Sequence, residues 1–223
     1  AKLYKILTAE EISGIFSYLD IEDILEFFEE MKPRYIVNII QELDIDDAVD
    51  VMKALPDEER AGYIKLMNND HRLEIKALLQ YKEDTAGSIM TTEYIEIDVD
   101  DSVEQAMKKM IAQAVEAETI YTIYVTDSKN ILVGTLSLRE LILARKGQLI
   151  KDLMNSRTVT VRASMDQEDV ADIIKDYDFT SVPVVDNLDR LLGIITIDDI
   201  IDVIHPDILR DIVSQFVEVN SSL

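Results

Sequence analysis

Carboxylates carry most of the chemistry this sequence offers. Asp46 and Asp50 stand four residues apart and Asp199 and Asp202 three apart, spacings that set each pair on one face of a helix. Glu168 lies near the start of another helical stretch and Asp178 follows its end. Such groups are hard oxygen donors, suited to a small divalent cation that is held by one or two carboxylates and keeps several waters. A second pattern occurs twice, as Gly134-x-x-Ser137-x-x-Glu140 and Gly193-x-x-Thr196-x-x-Asp199. In each, a strand ends at a glycine-led run, a hydroxyl opens a helix and an acid follows one turn in. Helix capping accounts for Ser137, Thr196 and the first-turn acids. It does not account for Asp50 or Asp202, which lie farther into their helices.

Composition bounds what these groups can serve. The chain has 223 residues, with 45 acidic against 22 basic side chains and a net charge of −23. A surface of that sign repels nucleic acid and anionic lipid, so no nucleic-acid partner is expected. Hydrophobic residues make up 48% of the chain, enough for real cores. No apolar run approaches the roughly 18 residues needed to cross a bilayer. There is no cysteine, which removes disulfides and thiolate metal sites and fits a cytosolic setting. Neither a P-loop nor a nucleophile motif is present, and His71 has no partner nearby in sequence, so no enzyme is expected.

The elements that must position these residues change character near residue 83. Residues 1–83 read as an all-α superhelical domain of short helices. Thr8 and Glu11 form a capping box, Asp20 caps a second helix, Pro33 suits the first turn of a third, Asp44 or Asp46 opens a fourth, Pro56 and Asp57 a fifth and Asp70 a sixth. The junctions at Leu19-Asp20-Ile21-Glu22-Asp23 and Leu43-Asp44-Ile45-Asp46-Asp47 echo one another, as stacked helical repeats do. Tyr81 to Ser88 reads as a polar hinge. A doubled β-α-β-β-α order then follows over 84–152 and 153–204, with Met154 matching Met90. Residues 205–223 read as a C-terminal helix marked by Ile208, Leu209, Ile212, Val213 and Phe216, the start of a connecting helix or a tail. The fold class expected is α + α/β.

The doubled unit, with its Gly-x-x-[Ser/Thr]-x-x-acid hallmark, resembles a pair of CBS motifs. That resemblance implies an adenine nucleotide such as ATP in a cleft between the repeats, with Ser137, Glu140, Thr196, Asp199 and Phe179 as candidate contacts. Free amides at a helix N-terminus suit phosphate, and a carboxylate accepts from ribose hydroxyls. Simple capping by Ser137 and Thr196 is the alternative reading of the same residues.

A narrower resemblance spans residues 8 to 204. The acidic helical domain, Tyr81-x-Glu83-Asp84-x-Ala86-Gly87 before Ile89-Met90-Thr91, Glu118-Thr119-Ile120-Tyr121 and Asp176-Tyr177-Asp178-Phe179-Thr180 are similar to the cytosolic part of MgtE-type Mg²⁺ transporters. The resemblance implies a homodimer joined through the CBS module and a membrane channel domain elsewhere in the full-length chain. It places this region at the cytoplasmic face of the membrane. By alignment with the family pattern, Asp46, Asp50, Glu168, Asp178, Asp199 and Asp202 match the positions that hold regulatory Mg²⁺. Without a cation the acidic faces repel, at roughly 4 kcal/mol or less per pair ~4 Å apart at an effective dielectric near 20. A soluble CBS protein that senses adenine nucleotide and regulates a partner is the alternative.

Overall fold

The computed structural model describes residues 7–16, 18–177 and 179–201. Asp178, Asp202 and the expected C-terminal helix over 205–223 lie outside the described residues. The chain divides into two compact units, Ala1–Tyr81 and Lys82–Leu223.

Six helices form the described part of the first unit: α1 (Ala9–Phe16), α2 (Ile21–Glu29), α3 (Pro33–Ile40), α4 (Ile45–Ala54), α5 (Asp57–Leu66) and α6 (Asn69–Leu78). Each packs on the helix two places along: α1 on α3, α3 on α5, α2 on α4, α4 on α6. The core comes from the apolar faces, with Ile36, Ile39, Ile40, Val49, Met52 and Ile75 almost fully buried. Burial of each such side chain contributes roughly 1.5–3 kcal/mol, which holds helices too short to persist alone.

Local chemistry explains most of the ends. The Thr8 N–H donates to Glu11 Oε2 at 2.8 Å and the Glu11 N–H to Thr8 Oγ1 at 3.2 Å, so the expected capping box forms. Pro33 is the first residue of α3. Asp20 and Asp44 occupy N-cap positions, yet neither carboxylate accepts a capping hydrogen bond. The sixth helix departs from expectation, because Asn68 and not Asp70 caps it. The Asn68 side chain accepts from the His71 N–H at 3.0 Å, and its amide meets the His71 ring at 2.8 Å. His71 thus serves the helix end.

In the second unit the β-α-β-β-α order appears twice. The first copy runs β1 (Ile95–Asp98), α7 (Val103–Gln113), β2 (Thr122–Thr126), β3 (Leu132–Ser137) and α8 (Leu138–Leu143). The second runs β4 (Val161–Arg162), α9 (Gln167–Tyr177), β5 (Ser181–Val185) and β6 (Leu191–Thr196), followed by a helix described over 197–201. Among the described residues each copy makes a three-stranded sheet with a parallel first pair and an antiparallel second pair. The hairpin registers match position for position. Thr122, Tyr124 and Val125 face Ser137, Thr135 and Gly134; Ser181, Pro183 and Val184 face Thr196, Ile194 and Gly193.

The two copies are not separate bodies. The segment that leads into each pairs with the sheet of the other. Thr91 and Ile194 exchange both backbone hydrogen bonds, each at 2.9 Å, and Asn155 and Thr135 do the same at 2.8 and 3.0 Å. The stretch expected as a polar hinge is partly built into this arrangement. Ala86, Gly87 and Ser88 are buried, and the N–H groups of Ala86 and Gly87 donate to the carbonyls of Met165 and Ala163. A run of small and polar residues here marks close backbone approach, not a free joint.

Candidate functional site

The carboxylates expected to hold a cation are distributed over both units. On α4, Asp46 is partly buried in the first turn and Asp50 lies exposed one turn on. Asp50 Oδ1 accepts from Lys53 Nζ at 2.8 Å, a surface pair of small energetic weight. Glu168 is exposed in the first turn of α9, its N–H donating to Asp166 Oδ1 at 2.9 Å. Asp199 is engaged by the capping of its own helix: the Thr196 N–H and hydroxyl donate to Asp199 Oδ2 at 2.9 and 2.7 Å. Asp178 and Asp202 fall outside the described residues. Among the described residues, no three acidic, histidine or cysteine side chains converge as a ready metal cage. The donor set is all carboxylate, which fits a hard cation and not a soft one.

The two hydroxyl–acid motifs form as helix caps in both copies. At α8 the Ser137 N–H and hydroxyl donate to Glu140 Oε2 at 2.8 and 2.7 Å, and the Glu140 N–H donates back to Ser137 Oγ at 3.1 Å. These bonds, first from the hydroxyl and then from the amide, hold the Glu140 carboxyl below the usual range, so it is ionised at neutral pH.

A cleft of about 250 Å³ opens between the copies, close to the lower end of the ~300–1,000 Å³ usual for small-molecule sites, so it has room for one nucleoside-sized group. The first copy contributes Thr122, Tyr124 and Thr135; the second contributes Asn155, Arg157, Thr158 and Val159 and, from β5 and the residues before it, Phe179, Thr180, Ser181 and Pro183. Its lining is rich in hydroxyls, and Thr135 and Thr158 stand 3.5 Å apart. Tyr124 crosses the centre of the module to share a 2.9 Å hydrogen bond with Ser181. Burial pushes the Tyr124 phenol up to about 12, the Ser181 bond offsetting part of that, so it acts as a neutral hydrogen-bonding group. Arg157 lines the cleft, is exposed and has no ion-pair partner among the described residues. Phe179 lines it too, stacked on the exposed Tyr177 ring at 5.4 Å and 8°.

Of the residues expected to meet a nucleotide, Phe179 therefore lines this cleft, and Ser137 lies two positions beyond Thr135 on the same strand. Thr135, Thr158, Arg157 and Ser181 were not anticipated. They belong to no motif, and they meet only through pairing across the two copies.

Comparison with known proteins agrees with this arrangement. Residues 1–84 match the MgtE intracellular N domain, and residues 86–147 and 150–206 match the CBS domain. The magnesium transporter MgtE of Enterococcus faecalis is 44% identical over 211 residues, 94% of this chain and 47% of the transporter. Two solved structures share the fold. The soluble part of a magnesium transporter superposes with a TM-score of 0.87 at 43% identity, covering 92% of this chain and 81% of the other. The cytosolic domain of the Mg²⁺ channel MgtE in complex with ATP gives 0.81 at 37% identity, covering 90% and 87%. This chain spans about half the length of the curated relatives it matches, at 47% of the transporter named above. Among the described residues no helix is long and apolar enough to cross a membrane. These relatives are transporters and not enzymes. An MgtE intracellular N domain followed by two CBS domains, with this identity and fold along nine-tenths of its length, makes the chain a member of the MgtE magnesium transporter family.

Proposed function

We propose that this chain is the cytosolic Mg²⁺-sensing region of a magnesium channel or transporter. The observation that carries the reading is the one-turn spacing of Asp46 and the exposed Asp50 on α4, in a chain whose other candidate ligands belong to the CBS module. Repulsion between the α4 carboxylates and Glu168, Asp178, Asp199 and Asp202 favours separated units when cation is scarce. A bound divalent cation supplies the charge that reverses this sign and lets the units dock. Weak sites suffice, because stabilisation follows ligand concentration over its dissociation constant. The full-length chain is proposed to join this region, at the cytoplasmic face, to a membrane channel domain. A homodimer through the CBS module is supported by the exposed apolar side chains of Tyr121, Ile142 and Leu143, which line one groove at α8.

Small-angle scattering tests the reading directly. Adding ~10 mM Mg²⁺, well above the range of weak oxygen-ligand sites, reduces the radius of gyration of the wild-type chain. Asp46→Asn with Asp50→Asn abolishes that response. An unchanged wild-type radius overturns the proposal. A second activity, adenine-nucleotide binding, is favoured by the hydroxyl-rich cleft lined by the exposed Arg157 and by Phe179, with Ser137 and Glu140 on the strand and helix beyond Thr135.

A further inference from the structure

Each copy of the doubled unit has the opening of its first helix held by a strap from elsewhere in the chain. At α7 the strap is Gln148 to Lys151. The Val103 N–H donates to the Gln148 carbonyl at 3.0 Å, and the N–H groups of Ile150 and Lys151 donate to the carbonyls of Asp101 and Val99 at 3.0 and 3.2 Å. At α9 the strap is Asp84 to Gly87. The Gln167 N–H donates to the Asp84 carbonyl at 3.1 Å, and the N–H groups of Ala86 and Gly87 donate to the carbonyls of Met165 and Ala163 at 2.8 and 2.9 Å. The Gln167 side-chain amide also donates to Asp84 Oδ1 at 3.4 Å. First-turn amides have no partner within their own helix, so the Asp84 carbonyl satisfies a donor that α9 cannot.

The straps match in bonding and differ in origin. Gln148 to Lys151 follow α8, inside the same unit. Asp84 follows the first unit, with Lys82 and Glu83 between it and Tyr81, where that unit ends. Asp84 turns the chain there with left-handed backbone, at φ 60°, a region that β-branched residues avoid. One residue beyond Gln167 stands Glu168, exposed in the first turn of α9. The chain that leaves the first unit is therefore bonded to the turn that carries a candidate cation ligand of the second.

We propose that Asp84 is a positioning residue for the cation response: its left-handed turn and its carbonyl hold the opening of α9, and with it Glu168, where a cation can use that carboxylate. The inference rests on the Mg²⁺ reading under Proposed function and adds to it a residue that binds no ion. A ligand on a loose helix end must be ordered when the ion binds, which costs affinity; a pinned turn is ordered beforehand.

Titration of the whole chain with MgCl₂, followed by small-angle scattering, tests this, with urea unfolding in EDTA as the separate measure of stability. Asp84→Val disfavours the left-handed backbone and raises the Mg²⁺ midpoint of compaction at least about threefold. Asp84→Gly, which loses the same carboxylate but adopts that backbone freely, stays within about twofold of wild type. Gln167→Pro removes the hydrogen bond from the helix side, at the first helical position where proline is tolerated, and raises the midpoint as Asp84→Val does. It reads the same contact even where Asp84→Val fails to fold. Glu168→Gln raises the midpoint by itself, and adding Gln167→Pro to it raises the midpoint no further, whereas a general loss of stability would act equally in both backgrounds. A wild-type midpoint in either folded variant, or an equal added shift with and without the Glu168 carboxylate, overturns the inference while leaving the Mg²⁺ response intact. No compaction of the wild type overturns the Mg²⁺ reading itself.

Discussion

The two CBS copies share a backbone plan and diverge in what they do with it. Both present a buried glycine where the segment leading into the other copy crosses: Gly134 beneath Met154 and Asn155, Gly193 beneath Met90 and Thr91. A Cβ at Gly134 would lie 2.8 Å from the Asn155 carbonyl, and one at Gly193 would lie 2.5 Å from the Thr91 carbonyl. The first crossing is at the surface, since Asn155 is exposed; the second is interior, since Thr91 is 0% exposed. Structure shared between repeats thus differs in how much it can give, and the copy that gives is the one beside the open cleft.

Alanine at each glycine is the strongest way to break this comparison. Gly193→Ala costs about 2–3 kcal/mol and Gly134→Ala about 1 kcal/mol, because overpacking is relieved only where the neighbour can move. Urea unfolding of each variant measures both values. Equal losses would show that the two crossings are mechanically alike. A smaller effect is expected from Tyr124→Phe, which deletes the phenol that reaches Ser181 across the module. The loss is about 1 kcal/mol, the net worth of one buried hydrogen bond. The deletion has no counterpart in the other half, where Pro183 occupies the matching position.

Much of this was legible in the sequence, for physical reasons that differ by element. The Gly-x-x-[Ser/Thr]-x-x-acid pattern fixed β3–α8 and β6 with the helix after it, because a strand end and an N-cap are local events. Thr8 with Glu11, and Pro33, marked helix starts for the same reason. Asp70 misled because Asn68, two residues earlier, offers the same kind of side-chain oxygen and wins the cap. The reciprocal pairing of Thr91 with Ile194 and Asn155 with Thr135 left no periodic signal. Each is a single bridge between residues far apart in sequence, and its only local trace is a glycine. A cleft between the copies was expected, and Phe179 lines it, but the rest of its lining stayed hidden for a related reason. Thr135, Thr158 and Arg157 are ordinary surface types until pairing across the two copies brings them to one place.

The smallest effect expected concerns the turns between the paired strands, where the copies are nearly superimposable. Asn130 and Asp189 both adopt left-handed backbone, at φ 62° and 61°. Asp127 Oδ1 accepts from the N–H groups of Lys129 and Ile131 at 2.8 and 3.0 Å; Asp186 Oδ1 accepts from those of Leu188 and Arg190 at 2.8 and 2.9 Å. Only Asp186 adds a guanidinium, with Arg190 Nε donating to Oδ2 at 2.7 Å. Both carboxyls are held below the usual range, Asp127 first by the Ile131 N–H and Asp186 first by the Arg190 N–H. A folded-state value below the unfolded one contributes stability that is complete above the unfolded pKa, about 3.9 for aspartate, and is lost as pH falls through the folded value. Asparagine keeps the Oδ1 acceptor and cannot titrate. Asp127→Asn and Asp186→Asn therefore each lower stability slightly at pH 7, by what ionisation contributes there, and each flattens the further loss of stability below pH 4. The flattening is greater for Asp186→Asn, because the Arg190 guanidinium rewards only the ionised form. Urea midpoints at pH 7 and across the acid limb measure it; identical acid limbs for the two variants would mean that the extra ion pair of the second copy has no energetic consequence.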